Sequence, residues 1–436
     1  MTQDPQSIID SSPMGRLQYI VIVLCIVLLA LDGFDVLAIS FAAPGIAREW
    51  GIDRGILGIV LSMELAGMAL GSVVIGGLAD RFGRRPIILA CLFIMAGGML
   101  LAAYAGSILS LSLIRFGTGL GLGGMLAAVS AIAAEYSNVR HRSACVSLMA
   151  AGYPLGVIIG GAIASVLLVR FDWRAVFEFG ALYTALLIPL TWYLLPESVS
   201  FLLHRQPPGA LRLINANLTR MGHDSVTHLP ARPARAAGGD WAGLFAPGLA
   251  STTLLLTLAY LTHIMTFYFI LKWIPKIVVD MGYSAAYAGS VLVWANVGGL
   301  AGSMILSALT RRFNVRVLVV VAMLGSVVMV NVFGRGQPDL TGLALVAACA
   351  GFFTNSAVVG LYAVFAQAFP TKVRAGGTGF VIGIGRGGAV LGPILAGFLF
   401  ESGQGLATVA FVMALGSLVA AILVSIEGRL ERSKPL

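Results

Sequence analysis

Twelve apolar stretches, each long enough to cross a lipid bilayer as a helix, follow one another along this 436-residue chain. A membrane-spanning helix needs roughly 20 mostly apolar residues. Only 11% of the residues are charged, against about 25% in an average soluble protein. The sequence therefore predicts an all-α polytopic membrane protein with 12 transmembrane helices and argues against a soluble enzyme. The stretches cover residues 17–42, 55–79, 87–105, 108–134, 143–169, 175–195, 250–275, 283–309, 317–333, 341–368, 374–400 and 406–427.

The positive charges are distributed unevenly between the two sets of loops that alternate along the chain. Nineteen of the 28 Lys and Arg residues lie in the set that contains both termini, six lie in the opposite set, and three lie within spans. Cytoplasmic loops carry an excess of Lys and Arg. We therefore expect a multi-pass protein of the cytoplasmic membrane with both termini in the cytoplasm. The same bias explains the net charge of +9 without a nucleic-acid partner.

The longest polar interval divides the twelve stretches into six and six. It begins near Pro196 and ends near Leu249, and Leu211, Ile214 and Leu218 recur within it at helical spacing. This spacing predicts a short amphipathic helix on the inner membrane surface. The expected organisation is an N-terminal six-helix bundle over 1–196, a cytoplasmic linker over 197–249 and a C-terminal six-helix bundle over 250–436.

The two halves of the chain repeat each other at a nearly constant offset. Gly71 falls on Gly302 at a shift of 231 residues, and Gly156 falls on Gly388 at a shift of 232. Internal repeats of this kind build carriers in which a ligand binds near the midplane between the halves. The repeat therefore predicts two pseudo-symmetric bundles around a central site.

Three motifs resemble those of one transporter superfamily. Gly76–Arg85 reads GGLADRFGRR, Arg115–Gly124 reads RFGTGLGLGG, and Pro196 begins the sequence PES. This set is similar to the signature loop, the fourth-span pattern and the post-span-6 motif of the major facilitator superfamily. The resemblance implies the fold of that superfamily over the whole chain. In the second copy of the signature loop, Arg311 replaces an aspartate and Asn314 replaces a glycine, so a gating role is expected of the first copy.

Two further segments narrow the resemblance. Residues 32–35 read DGFD within the first span, and residues 383–393 read GIGRGGAVLGP within the eleventh. Together they resemble the aromatic acid:proton symporter family, whose members import aromatic carboxylates such as hydroxybenzoates with protons. The resemblance implies a proton-coupled importer of benzoate-like acids that works by alternating access. We expect a monomer that uses no cofactor and no metal ion.

Other functions stay open on the sequence alone. The same fold could carry dicarboxylates or sugar acids, or could export its substrate at the expense of a proton gradient. A non-transporting membrane sensor would need a soluble signalling domain, and no polar segment is long enough for one. A membrane enzyme would need a clustered nucleophile or metal constellation, and the sequence has no HExxH, no GxSxG and no Cys or His cluster.

Four titratable side chains within the spans are candidate proton carriers, namely Asp32, Asp35, Glu64 and His263. Asp32 and Asp35 are three residues apart and so share one helix face. A carboxylate facing lipid costs at least about 2.5–3.5 kcal/mol, whereas a carboxylic acid in a low-dielectric cavity favours its neutral form. The alternative for this pair is a salt bridge or a packing hydrogen bond. Asp32 maps through the repeat onto His263, for which the alternative is a hydrogen-bonded histidine between helices.

Three cations also lie within spans. Arg386, in the eleventh span, is predicted to bind the substrate carboxylate bidentately, and the alternative is an ion pair with a buried acid. Arg115, in the fourth span, is expected to bind the anion, to couple to protonation or to pair with one of the three acids named above. Lys272 is expected to reach the membrane surface or to pair locally.

An aromatic substrate needs an apolar slot with few polar contacts. Most aromatic residues in membrane spans serve helix packing, which is the alternative for each candidate. The candidates for the wall of the slot and for its hydrogen-bonding groups are Phe34, Phe267, Trp294, Asn296, Asn355 and Tyr362.

Charged residues of the first signature loop and of the next predicted inner loop form a candidate gate. Asp80 is expected to accept hydrogen bonds at the N-terminus of a neighbouring helix, where the helix dipole favours an anion. Loss of such contacts would accompany opening toward the cytoplasm. Anchoring of the inner face by arginines is the alternative. The candidate gate residues are Asp80, Arg81, Arg84, Arg85, Glu135 and Arg142.

Overall fold

The computed structural model describes residues 4–230, 242–246, 249–370 and 373–432. Among these residues there are sixteen α-helices, one 3-10 helix (Ala242–Phe245) and no strand. The helices of the first half are α1 (Pro5–Ser11), α2 (Arg16–Trp50), α3 (Arg54–Phe82), α4 (Arg84–Ala103), α5 (Ile108–Glu135), α6 (Arg142–Arg170), α7 (Arg174–Leu194), α8 (Val199–Arg205) and α9 (Ala210–Met221). Those of the second half are α10 (Ala250–Asp280), α11 (Ala285–Leu309), α12 (Val315–Gly334), α13 (Leu340–Ala368), α14 (Arg374–Gly385), α15 (Gly387–Glu401) and α16 (Leu406–Arg432).

Twelve of the described helical segments are long and apolar enough to cross a membrane, which confirms the predicted all-α polytopic fold. Several helices continue beyond the apolar stretch that predicts them. The longest, α2, has 35 residues, and at a rise of about 1.5 Å per residue it extends over about 50 Å. The hydrocarbon core of a bilayer is only about 30 Å thick. Hydropathy therefore locates the apolar part of each helix but not its ends.

The eleventh span, predicted as one helix over 374–400, consists of the two helices α14 and α15. The break falls at Arg386, which caps both helices. The carbonyl oxygen of Arg386 accepts a hydrogen bond from the amide of Ala389 at 2.9 Å, which is the tighter spacing of a 3-10 turn. Glycine stabilises a helix less than other residues do, and Gly383, Gly385 and Gly387 surround this point.

The amphipathic helix predicted in the linker is α9. Its side chains Ile214 and Leu218 are buried, whereas Arg212 and Arg220 are exposed. Glycines with a left-handed backbone flank α9 at both ends, at Gly209 and Gly222. Residues 231–241 and 247–248 of the linker lie outside the described residues.

Close contacts divide the chain into two compact units. Unit 1 comprises Met1–Val36, Gly67–Gly156 and Phe177–Ala236. Unit 2 comprises Leu37–Ala66, Val157–Val176 and Ala237–Leu436. The boundaries cut through α2, α3, α6 and α7, so unit 2 contains one end of each of these helices together with the C-terminal helices. The organisation into six-helix bundles over 1–196 and 250–436 stays a prediction.

The internal repeat recurs in the way helices pack within each unit. In unit 1, a Cβ atom added to Gly71 would lie 2.2 Å from the carbonyl oxygen of Leu120, so α3 and α5 touch backbone to backbone. In unit 2, a Cβ atom added to Gly302 would lie 2.3 Å from the carbonyl oxygen of Phe352, which joins α11 to α13 in the same manner. Small residues permit such close approach of membrane helices. The same glycine thus serves the same contact in both copies.

Candidate functional site

A buried ion pair joins α2 to α5 within unit 1. The Arg115 guanidinium lies 2.9 Å from Oδ1 of Asp35, and both side chains are completely buried. Arg115 also donates to the main-chain carbonyl oxygen of Asp35 at 2.9 Å and lies over the ring of Phe177, at 5.4 Å from its centroid. Of the alternatives for Arg115, the structure therefore has the ion pair with Asp35. Removal of one member of such a pair is strongly destabilising, because the other charge stays buried.

The neighbours of Asp35 in the DGFD segment are buried as well. The Asp32 side chain is 3% exposed, and Phe34 is 1% exposed. The ring of Phe34 packs edge-on against Phe179, with 5.4 Å between the centroids. Gly33 lies so close to α6 that an added Cβ atom would be 2.1 Å from the carbonyl oxygen of Tyr153. In this structure Phe34 therefore serves helix packing, and its contact with substrate stays a prediction.

A second buried ion pair lies within unit 2, between α3 and α10. The Lys272 ammonium is 3.7 Å from Oε2 of Glu64, and neither side chain is exposed. The expectation that Lys272 reaches the surface or pairs locally is wrong. Glu64 is more than two hundred residues from Lys272 in sequence, and the close packing of α3 on the C-terminal helices brings the two charges together.

His263 connects four helices of unit 2. Its Nε2 atom lies 2.9 Å from the carbonyl oxygen of Thr354 on α13, and its Nδ1 atom lies 2.9 Å from the hydroxyl of Ser417 on α16. The Ser417 hydroxyl in turn contacts that of Ser326 on α12 at 3.1 Å. A neutral imidazole with its proton on Nε2 satisfies every one of these contacts. The geometry thus favours a hydrogen-bonded histidine between helices, and a proton-carrying role for His263 stays a prediction.

Arg386 lies half-buried at the break between α14 and α15, next to a cluster of aromatic rings in unit 2. None of the described residues forms an ion pair with its guanidinium. The preceding residue, Gly385, leaves space for the ring of Tyr260, which an added Cβ atom would approach to 2.2 Å. The Tyr260 hydroxyl lies 3.0 Å from the Tyr362 hydroxyl, and the ring of Phe365 packs edge-on against Tyr260. This site therefore combines a cation, two hydroxyls and apolar rings.

The remaining predicted substrate contacts are spread over α10, α11 and α13. Phe267 packs edge-on against its neighbour Tyr268, and Trp294 is 50% exposed. Asn296 donates to the carbonyl oxygen of Leu292 within its own helix at 2.9 Å. Asn355 donates to the carbonyl oxygen of Gly299 at 2.8 Å, which ties α13 to α11. Both amides thus serve main-chain contacts in this structure.

The candidate gate of unit 1 centres on Arg84, the first residue of α4. Its guanidinium lies 2.9 Å from Oδ1 of Asp80 and 3.2 Å from Oε1 of Glu135. Arg85 donates to the carbonyl oxygen of Trp192 at 2.7 Å and lies over its ring. Arg81 is exposed and lies over the ring of Phe82.

The expected position of Asp80 at a helix N-terminus is wrong. Its side chain is 75% exposed and contacts the guanidinium of Arg84 rather than main-chain N–H groups. Arg142, expected in the same cluster, forms its ion pair with Asp10 of α1 and donates to the carbonyl oxygen of Ala134 at 3.1 Å. The cluster at Arg84 therefore does not extend to Arg142.

Glu197 takes the position at a helix N-terminus that was expected for Asp80. Its Oε1 atom accepts hydrogen bonds from the main-chain amides of Arg84 at 3.0 Å and of Ser198 at 2.8 Å. Gly83, with a φ of 107°, makes the turn that aims the start of α4 at this carboxylate. The Ser198 hydroxyl donates to Glu135, which links Glu197 to the gate cluster. Glu197 belongs to the PES motif, but nothing in the sequence indicates a partner 113 residues earlier.

We expect Glu197→Gln to remove a pH dependence of stability. Burial raises the pKa of the Glu197 carboxyl, although the amides of Ser198 and Arg84 oppose this. The folded protein thus holds this proton more tightly than the unfolded chain does. The carboxyl's contribution to the free energy of unfolding therefore declines as the pH rises from the ordinary Glu pKa, about 4.3, through the raised pKa.

As the pH rises through that window, wild type should lose stability relative to Glu197→Gln. The change in the difference between their free energies of unfolding should be up to about 1.4 kcal/mol per pH unit. Thermal unfolding of the purified proteins over a pH series measures it. Glu178→Gln, which changes an exposed carboxyl, is the control and should add no slope. Parallel curves for Glu197→Gln and wild type would contradict the prediction.

The chain has twelve apolar helical spans, an internal repeat and two buried ion pairs within its spans. Together these features are typical of a membrane carrier. No group of three or more His, Cys, Asp or Glu side chains that could hold a metal ion occurs in the described part of the chain. The profile of the Major Facilitator Superfamily matches residues 24–334 and 256–435. The chain belongs to this superfamily and is a transporter, not an enzyme.

Relatives with known names match nearly the whole chain. The 4-hydroxybenzoate transporter PcaK of Acinetobacter baylyi is 31% identical over 97% of this chain and 94% of its own length. The gallate transporter of Pseudomonas putida is 30% identical over 98% of this chain and 95% of its own length. Among solved structures, a D-xylose-proton symporter has a TM-score of 0.71 at 15% identity, covering 93% of this chain and 97% of that one. At that identity the match concerns the fold alone.

Proposed function

We propose that this chain imports aromatic carboxylates, such as benzoate and hydroxybenzoates, together with protons. Arg386 carries the proposal, because it is a half-buried cation at a helix break, is not ion-paired to any described residue and lies beside aromatic rings. Arginine binds a carboxylate through two parallel hydrogen bonds, and aromatic rings pack favourably against one another. The names of the relatives, which specify 4-hydroxybenzoate and gallate, support the same substrate class.

In this proposal the substrate carboxylate binds Arg386, and its ring lies against Tyr362 and Phe267. The hydroxyl pair of Tyr260 and Tyr362 supplies further hydrogen-bonding groups next to the guanidinium. Arg115 takes no direct part in substrate binding as long as Asp35 neutralises it. Contacts of the substrate with Phe34, Trp294, Asn296 or Asn355 stay predictions.

Proton coupling is proposed at Asp35, with Asp32 as a second carboxyl on the same helix face. A proton on Asp35 would neutralise the partner of Arg115 and so weaken the contact between α2 and α5. One proton per monovalent anion makes transport electroneutral, and each further proton would add about 2.3 kcal/mol of driving force per 100 mV of membrane potential.

The proposed cycle is alternating access by a monomer in the cytoplasmic membrane, with both termini in the cytoplasm. The bundles over 1–196 and 250–436 move around the central site while the linker over 197–249 joins them. The gate contacts of Arg84 with Asp80 and Glu135 hold the start of α4 in place. We propose that they change when the site opens toward the cytoplasm.

Uptake into proteoliposomes tests the proposal. The purified protein should concentrate labelled 4-hydroxybenzoate when the outside is more acidic than the lumen, and a protonophore should abolish the accumulation. Empty liposomes control for passive entry of the neutral acid. Accumulation of a dicarboxylate or a sugar acid in place of aromatic acids would overturn the substrate assignment. Uptake that only equilibrates 4-hydroxybenzoate in spite of the gradient would overturn the proton coupling.

A further inference from the structure

A cavity of about 190 Å³ lies within unit 2, between the start of α3 and the ends of the C-terminal helices that pack against it. We propose that this cavity is a second binding site for aromatic carboxylates, in which Arg54 binds the carboxylate and aromatic rings contact the ring of the ligand. The inference rests on the proposed function, because it concerns the same class of substrate. The side chains that line the cavity include those of Arg54, Trp273, Asp280, Phe400, Gln404 and Leu406.

The cavity lies where the spans end and is separate from the site at Arg386. Arg54 is the first residue of α3, Asp280 is the last residue of α10, and Leu406 is the first residue of α16. The charge bias of the loops predicts that these helix ends face the outside of the cell. Phe400 lies 14 residues beyond Arg386, which at about 1.5 Å per residue corresponds to roughly 20 Å. We therefore call the cavity the outer site.

The size and the apolar wall of the outer site suit a single aromatic ring. The rings of Trp273 and Phe400 pack against each other with 5.0 Å between their centroids. The indole N–H of Trp273 donates to the carbonyl oxygen of Pro393 at 3.1 Å, so this side chain offers ring surface to a ligand and not a hydrogen bond. An apolar cavity of about 150 Å³ is sufficient to bind benzene. The outer site is slightly larger, which leaves space for one carboxylate beside the ring.

Two cations share one carboxylate at the polar side of the outer site. The Arg54 guanidinium lies 3.0 Å from Oδ2 of Asp280, and the Lys276 ammonium contacts Oδ1 of the same side chain. If a ligand carboxylate binds Arg54, Asp280 keeps Lys276 as a partner, so no acid loses its counter-charge. Another acid, Glu401, lies beside Gly55 on α3 and does not line the cavity.

Arg54 is both accessible and held in position. Its side chain is 44% exposed, so a ligand can reach it from solvent. The guanidinium lies over the ring of Phe400, at 5.5 Å from the centroid, which places it at the edge of the aromatic wall. A guanidinium has five N–H donors and can bind a second carboxylate while it contacts Asp280. The same cation can therefore bind an anion whose ring lies against Phe400.

The outer site should bind its ligand more weakly than the site at Arg386. Arg54 is partly exposed and already contacts a carboxylate, so a ligand gains less from it than from a half-buried arginine without an ion pair to any described residue. Cations near an entrance raise the local concentration of an anionic substrate. The proposed role of the outer site is to collect aromatic carboxylates at the outer face before they reach Arg386.

Binding of benzoate to purified protein in nanodiscs of zwitterionic lipid tests the inference. Arg386→Ala weakens the central site, so saturation-transfer NMR on this variant should detect the outer site. Adding Arg54→Gln to Arg386→Ala should weaken the remaining binding about tenfold or more, the effect of one lost charge-assisted hydrogen bond. Equal binding of benzoate by these two variants would overturn the proposal.

Matched controls make the result specific to the outer site. Arg335→Gln removes another exposed arginine of the predicted outer face and, added to Arg386→Ala, should leave benzoate binding unchanged. Arg54→Gln leaves Asp280 paired with Lys276, so it should unfold at the same temperature as Arg335→Gln. Equal loss of binding with Arg335→Gln would show a general charge effect and overturn the proposal.

The aromatic wall is tested separately from the cation. Phe400→Leu keeps an apolar side chain but removes the ring, and in the Arg386→Ala background it should weaken benzoate binding several-fold. Cyclohexanecarboxylate has the charge of benzoate without its aromatic ring and should bind Arg386→Ala more weakly than benzoate does. Equal binding of the two acids would overturn the assignment of an aromatic ligand.

These outcomes are separable from failure of the proposed function. If wild type accumulates 4-hydroxybenzoate but Arg386→Ala shows no binding that depends on Arg54, only the inference about the outer site is wrong. If wild type neither binds nor accumulates any aromatic acid, the proposed function is wrong and the inference falls with it.

Discussion

Replacing Arg386 by alanine is expected to weaken binding of aromatic carboxylates by at least about 100-fold. A bidentate contact supplies two charge-assisted hydrogen bonds, each contributing about 1.5–3 kcal/mol, and about 2.7 kcal/mol corresponds to a hundredfold change in affinity. Arg386 forms no ion pair with a described residue, so the substitution leaves no buried carboxylate behind. The fold should therefore survive, which thermal unfolding of the purified variant would check.

Two companion variants make this result specific. Arg386→Lys keeps the charge but loses the planar fork, so its affinity should lie between those of wild type and the alanine variant. Arg311→Gln removes an exposed arginine and should bind as wild type does. Calorimetry with benzoate and 4-hydroxybenzoate measures all three. If the alanine variant binds both acids as tightly as Arg311→Gln does, Arg386 does not hold the carboxylate.

The sequence predicts the helices of this fold well, because each apolar stretch is a local signal. A helix in lipid must be long and apolar, so counting residues is sufficient to find twelve of them. The break at Arg386 shows the limit of this argument. The hydropathy of residues 374–400 is that of one continuous span. The glycines around Arg386 indicate a helix of low stability but do not show at which residue the hydrogen-bond pattern changes.

Pairs of charges are much harder to predict, because a partner is fixed by packing and not by spacing. For Arg115 the sequence indicates three possible acidic partners, Asp32, Asp35 and Glu64, and only the packed helices show the contact with Asp35. For Lys272 the sequence predicts a side chain that reaches the membrane surface or pairs locally, and nothing in it indicates a contact with Glu64, more than two hundred residues away. Glu197 belongs to a recognisable motif, but its contact with the start of α4 depends on where the segment that follows the sixth span packs.

Replacing Asp35 by asparagine is expected to abolish proton-driven accumulation while exchange of substrate continues. Asparagine has nearly the same shape but cannot bind or release a proton. In the proposed cycle, protonation of Asp35 is the step that links the gradient to the movement of α2 against α5. Uptake against a concentration gradient should then stop, whereas labelled substrate should still exchange with unlabelled substrate inside the vesicle. Proteoliposomes with and without an imposed proton gradient measure both activities.

The stability of the variant must be controlled, because Asp35→Asn removes a counter-charge of the buried Arg115. Breaking such a pair costs about 3–5 kcal/mol, and removing both charges costs less. Asp35→Asn/Arg115→Gln should therefore unfold at a higher temperature than the single variant and still lack accumulation. The variant Asp32→Asn tests whether Asp32 shares the proton role with Asp35. The control variant Asp172→Asn, which changes a carboxylate in an exposed ion pair, should behave as wild type.

The outcomes separate a proton carrier from a structural acid. If Asp35→Asn concentrates substrate as wild type does, Asp35 is not the proton site, and loss of accumulation in Asp32→Asn would assign the role to Asp32. If the double variant is as stable as wild type but loses exchange together with accumulation, the ion pair positions α2 against α5 and carries no transported proton. Retained exchange without accumulation is the result that only proton coupling at Asp35 explains, because a purely structural pair would affect both activities alike.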